Sequence, residues 1–246
     1  MAVDTDLWIG EWDENDYPSL PCPHCGAPLN AVENSLRVES SAHNVELVNL
    51  TDIDDAESRF TLWLQCGHGR CREYVTVTGD VRYEPGYDEV GATITVLRLT
   101  PVHLHRAPPI IGVGEDVPDS IRSALQESFG LFWSDSGACA ARLRLVVELI
   151  LEDWGFPATS KGGGFVPVDR RIKDWETMYG ENAMSRALMA IKWLGNVGAH
   201  EKQFPRDRLL DAYDILERLL RQLFPPDERH LDELASEIID SKGRRT

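Results

Sequence analysis

Four of the five cysteines fall into two short groups, Cys22-Pro23-His24-Cys25-Gly26 and Cys66-Gly67-His68-Gly69-Arg70-Cys71. Glycine lets each group turn back on itself, so that paired thiolates from both can converge as a tetrahedron around Zn²⁺. The expected ligands are Cys22, Cys25, Cys66 and Cys71. The second group is looser, because its cysteines are five positions apart rather than three, and His68 or His24 could replace one sulfur. Four thiolates leave no position for water or substrate, so the zinc is expected to be structural and not a Lewis acid. Cys139 stands alone in an apolar stretch and reads as a small core residue.

A second constellation lies downstream. "IKWLGNVGAH" (191–200) spaces Lys192, Asn196 and His200 by four, which aligns them on one face if a helix persists there and leaves His200 at a turn if the helix breaks at Gly195. In "RLVVE" (144–148), Arg144 and Glu148 are four apart and can pair. Their neighbours Leu143, Leu145, Val146, Val147 and Leu149 predict partial burial, where a lone charge is costly. The expectation is one polar cluster of His200, Arg144 and Glu148, with Gly195 and Gly198 permitting a close approach or a turn. Its conceivable chemistry is metal-independent RNA cleavage. His200 would act as acid or base at a ribose 2′-OH, Lys192 or Arg144 would stabilise charge on phosphorus, Asn196 would orient, and Glu148 would hold the cation.

Other candidates are weaker. Lys161-Gly162-Gly163-Gly164 lacks the Ser/Thr of a phosphate-binding loop and reads as a mobile turn. His103 and His105 alternate on a strand without a third ligand, and their reading is structural.

The elements that must hold these residues divide the chain in two. "RFTLWLQC" (59–66), "REYVTVTGDVRYE" (72–84) and "ATITVLRLTPVHLH" (92–105) alternate and are β-branched or aromatic, and "LRVESSAHNVELVNL" (36–50) predicts a further pair of strands. Turns are expected at Thr78-Gly79-Asp80 and Glu84-Pro85-Gly86. The passage 106–114, with Pro108 and Pro109, reads as a linker. Helices are expected from about Asp116 to Gly130 and over 137–154, 182–194, 205–224 and 227–241, with Pro118 in the first turn of the first. The fold class is α+β, with a β-rich zinc-ribbon-like domain over 1–105 and a helical bundle over 115–246.

Composition sets limits. An apolar fraction of 42% with seven Trp can build a core, no apolar run is long enough for a bilayer, and the acidic N-terminus lacks a signal-peptide pattern, so a cytoplasmic location is expected. The net charge is −16, and residues 1–60 hold thirteen Asp/Glu against two Arg. A field of that sign repels phosphate, so RNA is not favoured as a partner except at a local basic pocket. The leucine-rich helix 205–224 carries more apolar positions than one narrow stripe needs, which predicts a homodimer through the helical half.

"CPHCG", a proline-rich passage into a helix, "RLVVE" and "GNVGAH" (195–200) together resemble the bacterial domain-of-unknown-function 4145 family, a helical domain allied to the HEPN superfamily. The likeness covers roughly 110–225, and "GNVGAH" is its specific part. It implies a HEPN-like bundle, dimerisation, and an association with restriction and phage-defence systems. Active HEPN proteins are metal-independent ribonucleases with an R-x(4–6)-H motif. Here Gly195 occupies the position of that arginine, and Lys192 lies eight residues before His200. The favoured function is therefore a zinc-containing binding and dimerisation module with a protein partner. The alternative is a ribonuclease using His200 with Lys192 or Arg144.

Overall fold

Strict alternation decides the sheet. In the stretch from Phe60 to Cys66, Phe60, Leu62, Leu64 and Cys66 are buried while Thr61 and Trp63 face solvent. A period of two gives one dry face and one wet face, which is how an antiparallel sheet covers a core from one side. A computed structural model describes residues 3–40, 58–87, 90–200, 204–225, 229–242 and 244. After a short helix α1 (Thr5–Trp8) come β1 (Trp12–Asp13), β2 (Leu29–Ala31), β3 (Arg37–Ser40), β4 (Ser58–Cys66), β5 (Tyr74–Tyr87) and β6 (Thr93–His105). They form one antiparallel sheet of order β1-β6-β5-β4-β2, with β3 also paired to β4.

The expected turns at Thr78-Gly79-Asp80 and Glu84-Pro85-Gly86 do not form, and β5 runs unbroken through both. A register shift between Thr78 and Gly79 takes their place. A Cβ on Gly79 would lie 2.7 Å from the Phe60 ring and 2.9 Å from the Pro101 Cα, so glycine here serves close packing rather than reversal. Of the strand pair expected over 36–50, β3 accounts for the first; the remainder lies outside the described residues.

The helices are α2 (Asp119–Ser134), α3 (Ser136–Asp153), α4 (Val168–Tyr179), α5 (Ala183–Gly198), α6 (Arg206–Leu223) and α7 (Arg229–Asp240). Pro118 is the N-cap of α2, and the helix passes through Gly130 instead of ending there. Asp135 caps α3 by accepting the Ala138 N–H, and Asn182 with Ser185 closes a capping box on α5. Two departures matter for function. Helix α5 does not stop at Leu194 but continues to Gly198, and α4 was not expected at all.

The two halves share one core. Trp8 and Trp12 pack their rings against Phe132 and Trp133 of α2, so the N-terminal segment covers part of the bundle. Every apolar position of α6 from Leu209 to Leu223 that follows the helical stripe (Leu209, Leu210, Tyr213, Leu216, Leu220) is buried within the chain itself. Its surplus of leucine is consumed internally because α6 is wrapped by neighbours on more than one side. Cys139 is a core residue as expected, with its sulfur 3.2 Å from the Tyr213 hydroxyl, which in turn donates to Ser128. Burial pushes the Cys139 thiol up to about 12, so it is an inert thiol. No helix is long and apolar enough to cross a membrane among the described residues.

Candidate metal centre and helical polar site

The two cysteine groups sit at adjoining ends of the paired strands β2 and β4, where Leu29 is opposite Cys66. In the first, the Cys22 N–H donates to Ala27 O, the Gly26 N–H donates to Cys22 O at 2.9 Å, and Gly26 takes φ +72° to close the turn. In the second, Cys66 N–H donates to Glu73 O, while Cys71 and Arg72 both donate to His68 O. The longer spacing is thus absorbed by a turn whose two ends are already hydrogen-bonded. Gly67 N–H donates to Pro28 O and ties the two loops together.

This local folding aims all four sulfurs at one point. Cys22 Sγ is 3.8 Å from Cys71 Sγ, and Cys25 Sγ is 3.5 Å from Cys66 Sγ. All four lie within 4.8 Å of one another, and they are the metal-ligating group found among the described residues. A tetrahedron with metal–sulfur bonds of about 2.3 Å has edges of about 3.8 Å, so the cage matches a four-coordinate thiolate site. His24 and His68 contribute backbone N–H groups, not imidazoles. Each donates to the sulfur two residues earlier, Cys22 and Cys66 respectively, at 3.4 Å. Amide donors of this kind would disperse the negative charge of thiolates gathered on one cation. The Ala27 N–H holds the Cys25 thiol below its ordinary range, while burial pushes Cys66 up to about 12. These four residues could hold a metal ion.

In the helical half, the sequence-predicted residues are separated rather than gathered. Helices α3 and α5 run antiparallel at very close range. A Cβ on Gly195 would fall inside contact with Arg144 Cβ and 2.8 Å from Ala140 O, and one on Gly198 would meet Ala140 Cβ. Arg144 therefore lies opposite Gly195. His200 is five positions beyond that point and Glu148 four positions on the other side. At about 1.5 Å per residue, they are about 13 Å apart along the helices. The expected meeting of His200 with Glu148 at a broken helix does not occur, because the helix is unbroken and its register carries His200 past the end. His200 is exposed, and its N–H donates to Val197 O.

Arg144 and Glu148 do pair as expected, at 3.2 Å, with each side chain about one-third exposed. Lys192 is almost fully buried, and its ammonium donates to Asp169 Oδ1 at 2.7 Å while lying 3.7 Å from the Trp193 ring centroid. Asn196 is half-buried on the same helix. Sequence reasoning does not find Asp169 or Arg171, because both belong to the unanticipated α4. Arg171 is buried, and its guanidinium donates to Phe156 O at 2.6 Å and Glu148 O at 2.7 Å, tying α4 to the C-terminal part of α3. Desolvation lowers the Arg171 pKa, opposed by the nearby Glu152 and Glu148 carboxylates. The available signal was Pro167 followed by Val168, Ile172 and Trp175 at helical spacing, all three of them buried.

The lesser candidates are ordinary. The 161–164 turn is internally satisfied, with Ser160 N–H donating to Gly164 O and Gly164 N–H donating to Ser160 Oγ. His103 and His105 stand exposed on β6 opposite Thr78 and Thr76. No curated protein and no solved structure matches the chain. The stretch that holds Arg144, Glu148, Lys192, Asn196 and His200, but not the cysteine centre, does have a counterpart: residues 126–241, from within α2 to the end of α7, match the family described as domain of unknown function DUF4145.

Proposed function

We propose that the protein is a binding and assembly module in which a structural Zn²⁺ holds the β-rich half and a HEPN-like helical half dimerises. The observation that carries this reading is the state of Lys192. Its charge is already neutralised by Asp169 inside the fold, and His200 lies about 13 Å from Glu148 along the helices, so among the described residues the candidate groups do not all converge on one point. The donor set supports zinc, since soft thiolates in a tetrahedral cage suit that ion and close its coordination sphere. Service in a restriction or phage-defence system is what the "GNVGAH" resemblance implies for such a module.

The dimer surface in this reading moves from α6 to the outer sides of α5 and α7. There Trp193, Val197, Ile238 and Ile239 remain exposed, whereas the α6 leucines are covered. Incubation of the full-length, zinc-containing protein with labelled RNA in EDTA tests the assignment. Intact RNA is the expected result. Cleavage that disappears in His200→Ala would replace this reading with the ribonuclease. Light scattering should give twice the chain mass of 27.7 kDa, and the monomer mass at tens of micromolar would remove the dimer.

A further inference from the structure

The solvent face of the sheet next to the cysteine centre is unusual in what it displays. Trp63 on β4 and Tyr74 on β5 are each 46% exposed, and their rings meet edge to face at 5.9 Å. Around them the face carries Thr61, Thr76 and the exposed His105, with Thr76 paired to Trp63 on one side and to His105 on the other. No aliphatic side chain of β4 interrupts this patch, since its aliphatic residues all point to the buried face. An exposed aromatic pair suits either a protein interface or stacked bases, and the polar character of its surroundings favours the second. Apart from Val32, whose N–H donates to Trp63 O, the neighbours here are hydroxyls, amides and imidazoles.

Beside the rings lies a cleft of about 430 Å³ whose lining includes Asn30, Gln65, Gly67 and Arg72, together with one carboxylate, Glu33. Gln65 and Tyr74 are coupled, with the amide Nε2 donating to the Tyr74 hydroxyl at 2.6 Å. Arg72, and Arg70 two residues before it, are exposed on the second cysteine loop. Among the described residues of the β-rich half, the other arginines are engaged: Arg37 by carbonyls, and Arg59, Arg82, Arg98 and Arg106 by carboxylates. Arg70 and Arg72 alone have neither kind of partner there. In a chain of net charge −16, two uncommitted guanidinium groups beside an exposed aromatic pair mark a local site for an anionic, aromatic ligand.

We propose that this face binds a single strand of nucleic acid. Bases stack on Trp63 and Tyr74, one base edge reaches the amides of Asn30 and Gln65, and phosphates lie against Arg70 and Arg72. Stacking on exposed sheet aromatics requires splayed bases, which a duplex does not offer. The two arginines, set on a loop braced by the metal centre, supply the backbone contact. The proposal deepens the reading of the protein as a binding module by naming the class of partner taken by its β-rich half.

The test is fluorescence anisotropy of a labelled mixed-sequence DNA oligonucleotide with the full-length, zinc-containing protein at low and moderate salt. DNA lacks the 2′-OH that a ribonuclease needs, so a cleaving protein would overturn the module reading without affecting this measurement. The single strand should bind more tightly than the matching duplex and quench tryptophan fluorescence. Trp63→Ala and Tyr74→Ala should each weaken binding about tenfold. Arg70→Ala and Arg72→Ala should each flatten the dependence on salt by about 0.7 in log–log slope. Phe165→Ala, which removes an even more exposed ring from the helical half, should change nothing. Zinc content and circular dichroism establish that each variant is folded, and Trp63→Phe, which keeps a stacking ring, should retain most of the affinity. Absence of binding at about 100 μM protein in low salt, equal affinity for duplex, or equal loss in Phe165→Ala and Trp63→Ala would overturn the proposal.

Discussion

Replacing Gly195 with alanine sets two known effects against each other, and the structure decides which wins. Alanine is favoured over glycine inside a helix by about 1 kcal/mol, and Gly195 lies within α5, so propensity alone predicts stabilisation. The new methyl would, however, meet Arg144 Cβ and sit 2.8 Å from the carbonyl oxygen of Ala140. Neither neighbour can step aside, because both belong to the backbone or its first side-chain atom on α3, a helix with Leu143, Val146, Val147 and Ile150 fully buried. Overpacking in such a setting costs about 1–3 kcal/mol, and the upper part of that range applies where the obstacle is backbone. The net expectation is a loss of about 1–2 kcal/mol, or roughly 3–6 °C in melting temperature for a chain of this size. Gly130 in α2 provides the internal comparison, since a Cβ there meets nothing within 4 Å. Gly130→Ala should therefore be stabilising by up to about 1 kcal/mol. Urea unfolding followed by far-ultraviolet ellipticity measures both variants. If Gly195→Ala proved as stable as Gly130→Ala, the claim that the glycines of "GNVGAH" exist for helix contact would be wrong.

Four further outcomes follow from the same geometry. Metal binding should release protons, because burial pushes the Cys66 thiol up to about 12 in the metal-free protein and the ligand form is the thiolate; affinity should accordingly fall as pH falls, and titration without proton release would contradict this. Elemental analysis should find about one zinc per chain, and Cys22→Ser should abolish it and expose the β-rich half to protease. Asp169→Asn should destabilise by about 1–2 kcal/mol by leaving the Lys192 ammonium buried without its anion, a value discounted because Asp169 is half exposed, whereas Lys192→Met should be nearly neutral; equal losses in urea unfolding would refute the pairing argument. His200→Ala should stay within about 0.5 kcal/mol of the parent, since the imidazole is exposed past the end of α5, and a larger loss would place it in a network the structure does not contain.

The metal centre was legible because its chemistry is local. Two cysteines and a glycine within a few residues specify a turn, and a turn needs little tertiary context. The second group was readable for the same reason, even with its longer spacing, because Cys66 and Glu73 are hydrogen-bonded across it. Strands β4 and β6 and helices α3, α6 and α7 were also legible to within a few residues, since their apolar periods are long and regular. Glycine misled where it lies inside a continuous element. Gly79 and Gly130 read as punctuation, yet neither ends its strand or helix, whereas at Gly195 the sequence leaves a close approach and a turn both open and the structure has the approach. Sequence shows that a position lacks a side chain; it does not show whether the backbone turns there or another element approaches.

The same limit explains why Lys192 was read as a free cation. Spacing by four placed it with Asn196 and His200 on a shared helical face, and that inference was sound as far as α5 alone could carry it. What it omitted was α4, whose first turn delivers Asp169 to the Lys192 ammonium and whose Arg171 caps the carbonyl of Glu148. A charge in a buried position is defined by the element packed over it. One missed helix was therefore enough to leave the partner of this charge out of the reading. The exposed Trp63–Tyr74 pair and the unpartnered Arg70 and Arg72 show the converse. Among the described residues no element covers these side chains, so their chemistry remains available to a partner.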